Sequence, residues 1–115
     1  MAFSTEELAT YESILDAFIE RNRPRPEIRD QVDLSYRVDR QSVVIFEIRP
    51  AMFRPGETIE GAVAKTTYVR TQNHWRVYWR RADLKWHLYD PDPYVDELPD
   101  FLRLVEEDEL CCFWG

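Results

Sequence analysis

The residues best suited to chemistry lie between positions 74 and 89. Arg76, Tyr78 and Arg80 alternate with apolar neighbours, and Lys85, His87 and Tyr89 repeat the alternation a few residues on. Folded back as a hairpin, the two sets share one face and interleave cations with flat rings. Guanidinium groups pair bidentately with phosphate or carboxylate, and aromatic faces accept unpaired bases. Such a surface suits an anionic ligand or an acidic protein segment. The same pattern also serves a solvated sheet face, where arginine stems lie over tyrosine rings.

Other constellations are sparser. Glu47, two residues from Arg49, becomes a general-base candidate if His87 or His74 stands beside it. A strand-to-strand ion pair is its structural alternative. His74, His87, Cys111 and Cys112 are ligand types whose spacing matches no zinc pattern, so neither a metal nor a cofactor is expected. The adjacent pair Cys111-Cys112 cannot staple distant parts of the chain. A vicinal disulfide under oxidation is one outcome for it, and packing beside Phe113 and Trp114 is the preferred one. The chain has no glycine-rich phosphate loop, nucleophile elbow or H-E-x-x-H motif. A non-enzymatic binding module is therefore favoured over a small hydrolase using Glu47 and a histidine. A homodimer through an uncovered sheet face or edge strand is the other alternative.

The elements that position these residues follow from periodicity. Ser4-Thr5-Glu6-Glu7 has the form of a capping box, and Leu8, Tyr11, Ile14, Leu15, Phe18 and Ile19 mark one helical stripe that stops before Pro24 and Pro26. Val32 to Val38 alternates as a strand with one wet face. Ser42 to Arg49 is a more buried strand, closed by Pro50. A loop with Pro55-Gly56 leads to a third strand, about 59–70, then a fourth, His74 to Arg81, and a fifth, about Lys85 to Tyr89. On the third strand, Ala62-Ala64-Thr66-Tyr68 and Val63-Lys65-Thr67-Val69 both qualify as the inner face. Asp90-Pro91-Asp92-Pro93 ends the sheet, and a second helix follows between Asp96 and Asp108, with Pro99 in its first turn. The predicted architecture is α+β: an N-terminal helix, a five-stranded antiparallel meander and a C-terminal helix, with both helices covering one sheet face. For the last hairpin, pairing Trp79 with Trp86 and Val77 with Leu88 gathers the apolar residues on one side.

At 115 residues the chain fits one domain, 1–115, with a core that needs no staple. The start of the chain has no signal-peptide pattern, and no apolar run approaches membrane-spanning length, so a cytoplasmic protein without membrane contact is expected. The net charge is −7, unevenly spread. Residues 61–89 hold six cations against Asp83, a net +5, and residues 90–115 hold nine acids against Arg103, a net −8. The simplest expectation is that the acidic segment folds onto the basic strands and neutralises them. Nucleic acid is a partner that the overall acidity does not favour.

Three stretches carry a resemblance. The run from Trp75 to Tyr89 (WRVYWRRADLKWHLY), Phe46-Glu47-Ile48-Arg49-Pro50 and the closing Cys112-Phe113-Trp114-Gly115 resemble the bacterial domain-of-unknown-function family numbered 3024. The likeness runs from the first helix to the C-terminus. It implies a small stand-alone bacterial domain and carries no activity, ligand or catalytic residue with it.

Overall fold

The computed structural model describes residues 2–109 and 112–114. Helix α1 (Thr5–Asn22) begins with the expected reciprocal cap. The Glu7 amide donates to Ser4 Oγ at 3.1 Å, and the Ser4 amide donates to Glu7 Oε1 at 2.9 Å. Arg23 leaves the helix in an extended conformation ahead of Pro24. A short 3-10 turn at Pro26–Ile28 follows, with proline at its start.

The chain then forms β1 (Asp33–Asp39), β2 (Ser42–Pro50), β3 (Thr58–Val69), β4 (His74–Arg80), β5 (Trp86–Leu88), β6 (Tyr94–Val95) and α2 (Leu98–Glu107). Strands β1 to β5 lie side by side in chain order and all pair antiparallel, as a meander must. Pro99 sits in the first turn of α2, where its missing amide is harmless. Leu15 and Phe18 of α1 and Leu98, Phe101 and Val105 of α2 join Val43, Ile45 and Val77 of the sheet in one buried cluster. Both helices thus cover one face, and the fold is α+β. No described helix is long and apolar enough to cross a membrane.

Three expectations are corrected. The sheet does not end at Asp90–Pro93. Val77 donates its amide to Pro93 O at 2.9 Å, and Tyr94 and Val95 then pair with Arg76 and Trp75 along the same β4 edge as β5, beyond its end. Two residues are too short to show a period in sequence.

The last hairpin is one residue out of the expected register: Tyr78 faces Leu88, Trp79 faces His87, and Arg80 faces Trp86. The turn holds three residues, Ala82 to Leu84, closed by Arg81 N–H to Lys85 O at 3.2 Å and Leu84 N–H to Arg81 O at 2.8 Å. Leu84 takes a left-handed φ of 63°. A turn followed by a left-handed residue is the usual three-residue hairpin loop, and its extra residue moves every β5 side chain to the opposite face.

Among the described residues, no ion pair joins the acidic C-terminal segment to the basic strands, although β6 pairs with β4 through its backbone. α2 packs in the helix layer, where Glu106 pairs with Arg21 of α1 at 2.8 Å and Asp100 pairs with Arg103 at 3.4 Å. Past α2, the Asp108 carboxylate accepts the amides of Phe113 and Trp114, which turns Phe113 back into the core.

The ambiguous third strand has a structural cause. Ile45 pairs with Ala64 and Phe46 pairs with Ala62, so Val63 is an extra residue in a β-bulge. Val63 and Ala64 are both buried, and the inner face continues through Thr66. The strand changes phase midway, and no single alternation describes it.

Candidate anionic-ligand surface

β4 sends Trp75 and Val77 into the core, so Arg76, Tyr78 and Arg80 emerge on the face that no helix covers. Residues directly opposite on neighbouring strands share that face. They are Thr67 and Lys65 of β3, opposite Arg76 and Tyr78. Across the other edge they are Trp86 and Leu88 of β5, opposite Arg80 and Tyr78, and Tyr94 of β6, opposite Arg76. The result is a surface three strands wide in which each cation has an aromatic neighbour. The Lys65 ammonium lies 5.5 Å from the centre of the Tyr78 ring and 5.9 Å from that of Trp86. His74 stacks on Tyr94 with ring centres 4.6 Å apart.

Of the six residues expected to form one face, the structure brings together Arg76, Tyr78 and Arg80. Lys85 lies in the exposed hairpin loop, just outside β5. His87 and Tyr89 turn to the helix-covered side. His87 sits opposite Trp79, with its Nε2 2.9 Å from Asp83 Oδ2. The Lys85 amide and His87 together hold the Asp83 carboxyl below the usual carboxylate range. Tyr89 is buried against Phe113, ring centres 4.9 Å apart, and burial pushes its hydroxyl pKa up. Lys65, Trp86, Leu88 and Tyr94 take the vacated places. Lys65 was legible as one of two faces of β3. Trp86 was hidden by the register, because its apolar bulk suggested the core.

The electrostatics of this face are unbalanced. Among the described residues, Lys65, Arg76 and Arg80 form no ion pair. Arg21, Arg23, Arg37, Arg49, Arg54, Arg70 and Arg103 each lie within 4 Å of a carboxylate. Arg80 Nε donates only a long, 3.4 Å bond to Leu84 O. Arg76 Nε and His74 Nε2 are buried with no hydrogen-bond partner among the described residues. Unsatisfied buried donors and acceptors are uncommon in folded proteins, and two fall on this one face.

The catalytic pairing does not form. Glu47 sits opposite Leu34 and Gly61 and lies 3.4 Å from Arg49. His87 is three strands away, roughly 14 Å in lateral spacing alone. His74 pairs with Val69, eight residues along β3 from Gly61. A cleft of about 590 Å³ between α1 and β1, lined by Phe3, Glu12, Tyr36 and Arg37 among others, contains neither histidine. Among the described residues, no three histidine, cysteine or acidic side chains gather as a metal site. Cys112 packs against the core, and Cys111, with the vicinal disulfide considered for it, lies outside the described residues.

A family model described as a domain of unknown function (DUF3024) matches residues 3–115. No curated protein and no solved structure matches the chain.

Proposed function

The chain belongs to the DUF3024 family of domains of unknown function, and we propose that it is a small non-enzymatic binding module engaging an anionic ligand through its bare sheet face. Arg76, Arg80 and Lys65 supply the charge, and Tyr78 and Trp86 supply flat contact area beside it. One observation carries this reading: three cations stand together on an uncovered face with no carboxylate partner among the described residues, while seven of the eleven other arginines are ion-paired. Arginine holds its charge at any physiological pH and forks onto carboxylate or phosphate oxygens. A cytoplasmic setting, with the cysteines reduced, goes with this role.

The test is anisotropy of fluorescein-labelled inorganic polyphosphate titrated with the protein at about 50 mM salt, where counterion release is strong. The double variant Arg76→Ala/Arg80→Ala should bind at least about tenfold more weakly, since charge-assisted bonds contribute roughly 1.5–3 kcal/mol each. Its melting temperature should stay near that of the parent, because neither side chain belongs to the core. Equal affinity in parent and variant, or a parent that binds neither polyphosphate nor any other polyanion tested, would overturn the proposal.

A further inference from the structure

We infer that the occupant of this face is single-stranded nucleic acid, with phosphates on Arg76, Arg80 and Lys65 and unpaired bases on Tyr78, Trp86 and Tyr94. The inference rests on the anionic-ligand proposal above and narrows it to one chemistry.

The overall charge of −7 is a poor guide to the field at this surface. α1 holds five acids against Arg21, a net −4, and α2 holds three acids against Arg103, a net −2. Both helices lie behind the sheet, roughly 10 Å from it, and salt at about 0.1 M screens charge over that same distance. On the bare face Lys65, Arg76 and Arg80 form no ion pair among the described residues. Asp39 and the Arg37–Glu60 pair stand toward the β1 side of the same face, and a polyanion approaching over β4 meets those three cations.

Charge alone admits any polyanion; the rings distinguish among them. Along β4 the order is Arg76, Tyr78, Arg80, and across the next edge it is Tyr94, Leu88, Trp86. Each arginine therefore has a ring both beside it on its own strand and opposite it on the next. Tyr94 is about half exposed, and its other neighbour is the stacked His74. An acidic peptide offers carboxylates but no regular supply of flat faces, and would leave these rings idle. A duplex supplies phosphates but keeps its bases stacked inside. Only an unpaired strand offers charge and exposed base faces together, the combination that stacking platforms use. The Lys65 ammonium, held over Tyr78 and Trp86, exchanges that contact for a phosphate as a base arrives.

The experiment compares three labelled probes by anisotropy at equal salt: single-stranded oligothymidylate of about 12 nucleotides, a duplex of about the same length, and polyphosphate of similar charge. The single strand should bind at least about tenfold more tightly than either alternative. Tyr78→Leu and Trp86→Leu should each weaken the single strand by about 5- to 150-fold, the range for losing one stacked base, and leave polyphosphate unchanged. Arg76→Ala/Arg80→Ala should weaken all three probes and flatten the salt dependence for the single strand by about 1.4 in log–log slope. Should a leucine variant fail to fold, Trp86→Phe gives a second readout. Oligothymidylate should quench tryptophan emission in the parent, and this variant should lose most of that quenching while still binding. Polyphosphate binding as tightly as the single strand, ring variants without effect, or undiminished quenching in Trp86→Phe would overturn the inference and leave the anionic-ligand proposal standing. Failure of all three probes to bind would overturn both.

Discussion

The buried hydroxyl of Thr66 donates a 2.7 Å hydrogen bond to the main-chain oxygen of Arg76. Thr66 is the one fully buried polar residue of the described core, and its bond runs sideways from β3 to the strand that carries the basic face. A core contact on the helix side thus fixes the backbone from which Arg76 projects on the other.

Replacing Thr66 with valine keeps the shape and removes that bond. The substitution should destabilise the protein by about 1 kcal/mol, the usual net contribution of one hydrogen bond, and Thr66→Ser should retain the bond at the expense of a methyl group. Urea denaturation of the three proteins measures both. A Thr66→Val variant as stable as the parent would show that the bond contributes nothing net.

Leu84 sits in the β4–β5 loop with a φ of 63° and its side chain mostly exposed. A left-handed conformation costs a bulky residue about 1–2 kcal/mol, and little packing offsets it here. Leu84→Gly should therefore raise stability, by about 0.5–1 kcal/mol after the extra freedom glycine gives the unfolded chain. Thermal melts decide it. A lower melting temperature in Leu84→Gly would mean that leucine packing outweighs the backbone strain.

Glu7 joins helix and sheet. Arg70 reaches it in a two-pronged ion pair, 2.6 Å and 3.0 Å, and the Ser4 amide donates to the same carboxylate. The arginine bond first, and the amide second, bring its pKa down from 4.5 to about 2. A carboxyl depressed in the folded state contributes stability that is complete above the unfolded value and is lost as the pH falls through the folded one. The loss should fall between pH 4.5 and about 2. Glu7→Gln should lower the urea midpoint at about pH 6 and shrink the difference between about pH 6 and about pH 3. An identical pH dependence in parent and variant would contradict the assignment.

Much of the architecture was legible in the residues because it rests on local rules. The capping box at Ser4, the stop at Pro24, the alternation of β1 and the proline in the first turn of α2 each satisfy backbone hydrogen bonding within a few residues. Binary patterning then requires that the apolar stripes of both helices share one sheet face with the inward residues of the strands. Arg76, Tyr78 and Arg80 were legible as a shared face for the same reason, since a strand alternates whatever its neighbours do.

What tertiary structure alone decided was pairing. The turn between β4 and β5 could hold two residues or three, and the choice moved Trp86 out to the basic face and His87 and Tyr89 in toward the helices. Leu84 accepts a left-handed backbone there, a strain visible only in the folded chain. The bulge at Val63 changed the phase of β3 and settled on which side Lys65 emerges. Helix α2 carried its three acids to the helix layer because its apolar stripe buries Leu98, Phe101 and Val105, and there Glu106 and Asp100 pair with Arg21 and Arg103 instead of the arginines of β4. Hydrophobic burial is worth roughly 1.5–3 kcal/mol for each such side chain, against about 0–1 for an exposed ion pair, so packing placed the charges and left the β4 side of the open face basic.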